Sequence, residues 1–300
     1  MQHIEKLATP YETKGLQATQ DYIDRHWVAD ESQYRNLYYS KSGMSALEQV
    51  LFDEQKDQQD YSYCCYCMRR LFLKDTVSGH KENITLEHII PHKIKEAKWE
   101  EEKSKYLEFP NLQSDKITIC YGGELTPEQA TKKIQSAPYP HFLSYHNLVA
   151  SCDGKIFEGD KPKKSCCCNN GRGDQFVMPI FLSAELCNDI SYDRKGRFCY
   201  DNSNFKDEWF ASDCLNLNAG WIVQVRKIWY QLVKSEYTDK DVEKACEDLE
   251  LRQNIIDDID RDNIIADWST HNDMWMLFAE YVWFYGYYSY YGQGIDRVLR

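Results

Sequence analysis

The chain has 300 residues, 42% of them hydrophobic and 28% charged, which is enough for one large domain or two small ones with a real core. Its net charge of −12 argues against capture of nucleic acid through overall charge. No apolar run of signal-peptide length follows Met1, and Glu280 interrupts the apolar tract 274–291, which excludes a membrane-spanning helix there. We therefore expect a cytoplasmic protein with no membrane partner.

The charge is distributed unevenly along the chain. Residues 61–174 contain 17 Lys and Arg against 15 Asp and Glu, whereas residues 236–273 contain 4 against 13. The central region is neutral to slightly basic, so contacts with phosphate groups remain open to it. The acidity belongs to the C-terminal region.

Residues 1–60 are predicted to form helices and loops. Leu47, Val50 and Leu51 recur at the spacing of one helix face. Residues 4–10 contain a proline and are expected to form an extended arm that leads into this helical region.

A short hairpin and a strand are predicted next. Residues 61–73 alternate aromatic, cysteine and apolar residues without a helix cap, so a hairpin with two cysteines in its turn is expected. The β-branched and apolar residues 84–86 predict a strand. This strand would present Glu87 and His88 at its end.

Residues 92–144 are predicted to be an insertion with helices of its own. The strongly charged residues 93–105 predict a solvated helix, and the Gly-Gly pair at 122–123 predicts a turn. A Thr-Pro pair opens a second helix, predicted to extend over 126–138.

The remaining elements follow from apolar spacing and turn residues. Residues 147–151 are predicted to lead into a knuckle or the start of a helix, and residues 168–176 to form a short helix. A hairpin is predicted around Gly196. Three C-terminal helices are predicted, over 219–234, 239–253 and 268–285.

Twelve cysteines in a reducing compartment favour metal ligation over disulfides. One pair lies on a tight turn and a second pair comes from a later loop, so four thiolates can close a tetrahedron around a structural Zn²⁺. The pair on the turn is Cys64 and Cys67, and the later pair is Cys152 and Cys168. A metal-storage or redox protein is another interpretation of so many cysteines. The alternative ligands are Cys65, Cys166 and Cys167.

Glu87 and His88 are the candidates for catalysis. Hydrolysis of a phosphodiester needs a base near the attacking water and a cation near the phosphate. A neutral His supplies the base, and a neighbouring carboxylate can hold Mg²⁺ or Mn²⁺, which prefer oxygen ligands. Lys163 and Lys164 in a basic loop are candidates to contact a phosphate backbone.

The order of these motifs resembles that of the HNH nucleases, whose shared unit is a zinc-braced ββα-metal finger. An early Cys-x-x-Cys, an acid-His pair, an Asn-Leu and a late Cys-Asn occur in that order. The resemblance implies that Cys168 is the fourth zinc ligand, because it directly precedes Asn169. It also implies that Glu87 and Asn169 share the catalytic cation, with Asn170 as the alternative.

The resemblance assigns roles to two further residues. Asn147 would brace the loop that carries His88, and Asn111 is the alternative because it also precedes a leucine. Arg172 lies where the family has a Lys or Arg after the Cys-Asn, and it would contact the phosphate.

Several shorter stretches resemble the HNH proteins called PtuB, of Septu and retron-associated anti-phage systems. They are residues 4–6, residues 147–154 and residues 215–218 followed by Arg226. This resemblance implies a role in anti-phage defence and a larger ATPase partner of the PtuA type. The acidic residues 236–273 and the aromatic residues 275–291 are the expected docking surface for that partner. The alternative is that these aromatic residues belong to the core.

The predicted fold class is α+β, with a zinc-braced ββα-metal (HNH) finger embedded in a mainly helical chain. Residues 1–60 would form an N-terminal arm and helix, residues 61–178 the nuclease core, and residues 179–300 a mainly helical region. The predicted function is a metal-dependent HNH endonuclease that hydrolyses phosphodiester bonds in DNA or RNA. The alternative is a non-catalytic zinc-finger module that binds nucleic acid or a protein partner.

Overall fold

The structure, a computed structural model, mixes helices and strands, as predicted. The structure describes residues 1–35, 37, 45–57, 60–73, 82–154, 167–193, 195–200 and 214–259. The helices are α1 Tyr11–His26, α2 Glu31–Tyr34, α3 Ser45–Glu54, α4 Glu96–Glu102, α5 Ser104–Leu107, α6 Pro127–Ala130, α7 Cys168–Arg172, α8 Ala184–Asn188, α9 Gly220–Lys234, α10 Asp239–Glu247 and α11 Leu249–Ile259. The strands are β1 Ile84–His88, β2 Ile117–Thr118, β3 Tyr139–Pro140, β4 Leu148–Cys152, β5 Ile190–Tyr192 and β6 Phe198–Tyr200.

Strands β1 and β4 pair antiparallel at the centre of the fold. Ile84 lies opposite Cys152, and His88 lies opposite Leu148. Every residue of β4 is buried. The expectation of a knuckle or helix start over residues 147–151 is therefore wrong, because β1 supplies a partner strand for this apolar segment.

The hairpin predicted over residues 61–73 is confirmed as a tight turn that is fastened to β4. Tyr63 and Arg70 form an antiparallel bridge across the turn. Gln55, at the end of α3, donates from Nε2 to the carbonyls of Tyr63 at 2.7 Å and Ala150 at 3.0 Å. It also accepts the Ala150 amide at 2.7 Å. One buried amide thus joins the turn to the central strand pair.

The N-terminal arm is held by a buried ion pair. The Nζ of Lys6 lies 2.7 Å from Oε1 of Glu54 and 3.6 Å from the ring centre of Tyr145, and both charged side chains are buried. The Tyr145 hydroxyl donates to the second Glu54 oxygen at 2.5 Å. Gly15 of α1 packs flat on the Tyr145 ring, where an added Cβ would lie 2.2 Å from a ring carbon. Only glycine permits this approach.

The insertion packs one face of its helices on the core. Trp99 of α4 and Tyr106 of α5 are buried, while the charged residues around them are largely exposed. Helix α6 starts where the Thr-Pro pair predicts, and Thr126 caps it in a reciprocal capping box with Gln129. Helix α6 ends at Ala130, earlier than predicted.

The C-terminal region contains the predicted hairpin and helix. Strands β5 and β6 pair around Gly196, and α9 buries its apolar face. The helix predicted over 239–253 is instead two helices, because Asp248 is extended and its carboxylate caps the start of α11. None of the helices in the described ranges is long and apolar enough to cross a membrane. The helix predicted over 268–285 lies outside the described residues.

Candidate metal centre and neighbouring histidine site

Four buried cysteines converge where three separate parts of the chain meet. Their sulfur atoms all lie within 4.8 Å of one another, and the side chains are essentially inaccessible. This is the donor set and compact spacing of a structural Zn²⁺ site, so the residues fit the predicted ion. Burial raises the pKa of the Cys168 thiol, and a bound cation would stabilise the thiolate. The four residues are Cys64, Cys67, Cys152 and Cys168.

Local backbone geometry brings the two later ligands together. Gly154 has a positive φ of 67°, and an added Cβ there would lie 2.0 Å from the Cys167 carbonyl oxygen. This close approach folds the chain after Cys152 against the start of α7, whose first residue is Cys168. The glycine is needed because other residues would both clash and strain the backbone.

Two of the alternative ligands lie next to the group without belonging to it. Cys167 is buried with its sulfur 3.3 Å from that of Cys168. Cys65 is also buried, and its amide donates to the Ala150 carbonyl of β4. Neither joins the four sulfurs that lie within 4.8 Å of one another. Cys166 lies outside the described residues, as do Lys163 and Lys164.

His88 is held in one tautomer by a backbone carbonyl. Its Nε2 lies 3.0 Å from the Phe142 carbonyl oxygen, which can only accept a hydrogen bond. Nε2 therefore carries the proton, and Nδ1 keeps its lone pair. Burial lowers the pKa of His88 to about 3, so the imidazole is neutral at physiological pH. The ring of His92 stacks on it, with 5.3 Å between ring centres.

Asn147 braces both segments that determine where the His88 imidazole lies. Its Oδ1 accepts the Ile90 amide at 2.7 Å, and its Nδ2 donates to the carbonyls of Ile90 and His141 at 2.9 Å each. Ile90 follows His88 on one side, and His141 precedes the Phe142 acceptor on the other. Asn111 is also buried, but it donates to the His146 carbonyl instead.

Glu87 precedes His88 on β1 and is buried. Successive side chains of a strand point to opposite faces, so the two side chains lie on different sides of β1. Its Oε1 accepts from the Tyr66 hydroxyl at 2.8 Å and from Nη1 of Arg172. Burial raises the pKa of the Glu87 carboxyl, and the ion pair with Arg172 opposes that rise. The Glu87 carboxylate therefore already has two partners inside the protein, the Tyr66 hydroxyl and the Arg172 guanidinium.

Arg172 does not reach a surface where it could contact phosphate. It is 2% exposed, and each of its three guanidinium nitrogens donates to a protein oxygen. The phosphate contact expected from the sequence is thus at odds with its position. A short helix, α7, instead directs the side chain inward onto the end of β1.

The residues predicted to hold the catalytic cation differ in how well their contacts suit that role. Asn169 fits: its Nδ2 donates to Thr85 Oγ1 and to the Leu86 carbonyl, which leaves Oδ1 to act as a ligand. Glu87 does not fit in this arrangement, because Arg172 balances its charge. Asn170 donates to the Asp153 carbonyl and is exposed.

Residues that the sequence did not single out complete the site. Phe142 supplies the carbonyl that orients His88, and Tyr66 hydrogen bonds both members of the buried ion pair. Phe142 acts through its backbone, so its residue type carries no signal, whereas Tyr66 lies inside the Cys-x-x-Cys turn. Comparisons of the chain with protein-family models, curated proteins and solved structures give no match.

Proposed function

We propose that this protein is an HNH endonuclease that hydrolyses phosphodiester bonds in nucleic acid with the help of Mg²⁺ or Mn²⁺. The observation that carries the proposal is the orientation of His88, whose Nε2 donates to the Phe142 carbonyl. The support around it is a strand pair followed by a short helix, α7, beside four clustered cysteines. This order of elements supports the proposal that residues 61–178 contain a ββα-metal finger.

The chemistry assigned to the chain is general-base catalysis. Nδ1 of His88 takes a proton from a water molecule as its oxygen attacks the phosphorus, and the bond to the leaving oxygen breaks. The Phe142 carbonyl holds the opposite edge of the ring, so the base presents its lone pair without a change of tautomer. A bound divalent cation would stabilise charge on the phosphate and the leaving oxygen. Asn169, whose two hydrogen bonds use Nδ2 and not Oδ1, is the described residue that we propose to hold it.

The test is a cleavage panel with purified protein, using single- and double-stranded DNA and RNA in Mg²⁺ or Mn²⁺. His88→Ala should lower the rate by about 10²–10⁴-fold, the usual contribution of a general base. It should also retain the zinc, because His88 is not among the clustered donors. His26→Ala, an exposed histidine at the end of α1, is the matched control. Wild-type turnover in His88→Ala would refute the proposal.

A second candidate is a zinc-stabilised binding module without nuclease activity. It is favoured by the ion pair that occupies Glu87, the residue expected to hold the cation. In that case His88→Ala would bind nucleic acid or a protein partner as the wild type does, and no substrate in the panel would be cut. Binding and cleavage measured on the same variant separate the two functions.

We also propose a role in anti-phage defence with a larger ATPase partner, which the PtuB resemblance suggests. The net charge of −12 supports it, because an acidic nuclease gains little from diffuse attraction to nucleic acid. Co-expression with an ATPase gene from the same operon should yield a stable complex and faster cleavage. Deletion of residues 268–300 should abolish the complex. Efficient cleavage by the isolated chain would refute the need for a partner.

A further inference from the structure

The Arg172 side chain crosses from α7 to β1 and ends in a buried network. Its Nη1 and Nη2 donate to two successive backbone carbonyls, those of His88 at 2.5 Å and Ile89 at 2.7 Å. The same helix carries Cys168 and Asn169. The remaining acceptors of the guanidinium are the Gln175 carbonyl at 2.8 Å, the Tyr66 hydroxyl at 3.1 Å and Oε1 of Glu87.

The two carbonyl contacts place the backbone at the His88 position. A peptide unit is planar, so two donors on one rigid fork that bind consecutive carbonyls restrain the orientation of the chain there. The imidazole ring is held from its other end by the Phe142 carbonyl. Arg172 therefore restrains the position of the His88 backbone, and the Phe142 carbonyl restrains the orientation of the imidazole ring.

Glu87 has a role in this network that differs from the one expected. A buried guanidinium needs a counter-charge, and Glu87 is the carboxylate that provides it among the described residues paired with Arg172. Tyr66 donates to the same carboxylate oxygen and accepts from Arg172, so it closes the network.

We propose that Arg172 is a positioning residue for His88 and that Glu87 is its buried counter-ion rather than a ligand of the catalytic cation. This inference rests on the proposed nuclease function. It predicts that the two residues affect the rate of the chemical step and the stability together, and that neither sets the affinity for Mg²⁺.

Arg172→Lys tests the positioning role, because lysine keeps the charge but lacks the planar fork. We expect kcat to fall by about 10²-fold, the effect of a misplacement near 1 Å. KM and the half-saturating Mg²⁺ concentration should stay within about threefold, since substrate binding is untouched. Zinc content should remain at the wild-type value. Arg25→Lys, at an exposed site on α1, should change none of these quantities.

Glu87→Gln tests the counter-ion role with little change in shape. It should lower the melting temperature and kcat but leave the half-saturating Mg²⁺ concentration unchanged. The double variant Glu87→Gln/Arg172→Gln should melt higher than Arg172→Gln alone, because it no longer buries an unpaired charge. A tenfold rise in half-saturating Mg²⁺ for Glu87→Gln, with an unchanged melting temperature, would overturn the proposal and make Glu87 a cation ligand.

A spectroscopic readout separates this inference from the nuclease function. The ring nitrogen signals of His88, assigned by NMR against His88→Ala, report the tautomer and its hydrogen bond. Arg172→Lys should shift these signals or mix the tautomers, whereas Arg25→Lys should not. If the wild type cuts no substrate but Arg172→Lys still shifts them, the nuclease function fails and the positioning role stands. Unchanged signals together with wild-type kcat in Arg172→Lys would refute the positioning role.

Discussion

Asn147→Ala is the perturbation that most directly probes how the histidine site is held. The side chain is fully buried and makes three hydrogen bonds, two to Ile90 and one to the His141 carbonyl. Alanine removes all three and leaves the partner groups without a replacement in the interior. The loop after His88 and the segment that ends in the Phe142 acceptor would then lose their shared anchor.

The magnitude follows from the number of bonds. Each is worth about 0.5–1.5 kcal/mol net, so the free energy of unfolding should fall by about 2–4 kcal/mol. Asn111→Ala is a matched control, because Asn111 is also a buried asparagine but donates one bond, to the His146 carbonyl. It should cost about 1 kcal/mol on the same reasoning.

Equilibrium unfolding in urea gives the free energy of unfolding of both variants. The cleavage rate is then measured at urea concentrations well below each unfolding midpoint, where the protein stays folded. We expect Asn147→Ala to lose cleavage beyond its loss of stability, since both anchors of the His88 ring loosen. Asn111→Ala should cut at nearly the wild-type rate. The reasoning is refuted if Asn147→Ala is no less stable than Asn111→Ala, or if a folded Asn147→Ala cuts at the wild-type rate.

Two further predictions concern the metal centre and the arm. Cys67→Ser should lose zinc and melt at a lower temperature, whereas Cys167→Ser should keep one zinc per chain, as measured by atomic absorption and calorimetry. Retention of zinc by Cys67→Ser would show that the ligand set is wrong. Lys6→Met leaves the buried Glu54 charge unpaired and should cost about 3–5 kcal/mol in denaturant unfolding. Lys98→Met, which removes an exposed ion pair with Glu101, should leave the free energy of unfolding nearly unchanged. Equal effects of the two substitutions would contradict the burial argument.

Part of the cysteine cluster was predictable because the spacing of a Cys-x-x-Cys pair is a local property. Two cysteines separated by two residues form one half of a site on a tight turn. Among the later cysteines, the choice of Cys168 over Cys166 and Cys167 came from the resemblance to the HNH nucleases. The structure brings together the predicted four and no others among the described residues within the same spacing. The placement of Asn147 near His88 is a second feature that the motif order anticipated, whereas its individual bonds required coordinates.

Strand β4 shows where local reasoning fails. The segment has only five residues, most of them apolar, and such a short pattern does not distinguish a strand from a turn that leads into a helix. Its partner β1 ends 60 residues earlier, so the backbone hydrogen bonds that make it a strand depend on contacts distant in sequence. The break between α10 and α11 was missed for a different reason, since Asp248 favours capping over continuation of the helix.

The sequence by itself pointed to the residues of the candidate site: the four cysteines, the histidine, and the charged residues near them. Only the tertiary structure decided which of those charges face each other. Glu87 and Arg172 are 85 residues apart. Taken singly, Glu87 would be predicted to bind a cation and Arg172 to lie at the surface. Packing of α7 against β1 removes both from water, and a buried charge must find a counter-charge there. Glu87 and Arg172 therefore form an ion pair. No pattern along the sequence indicates that these two residues are partners.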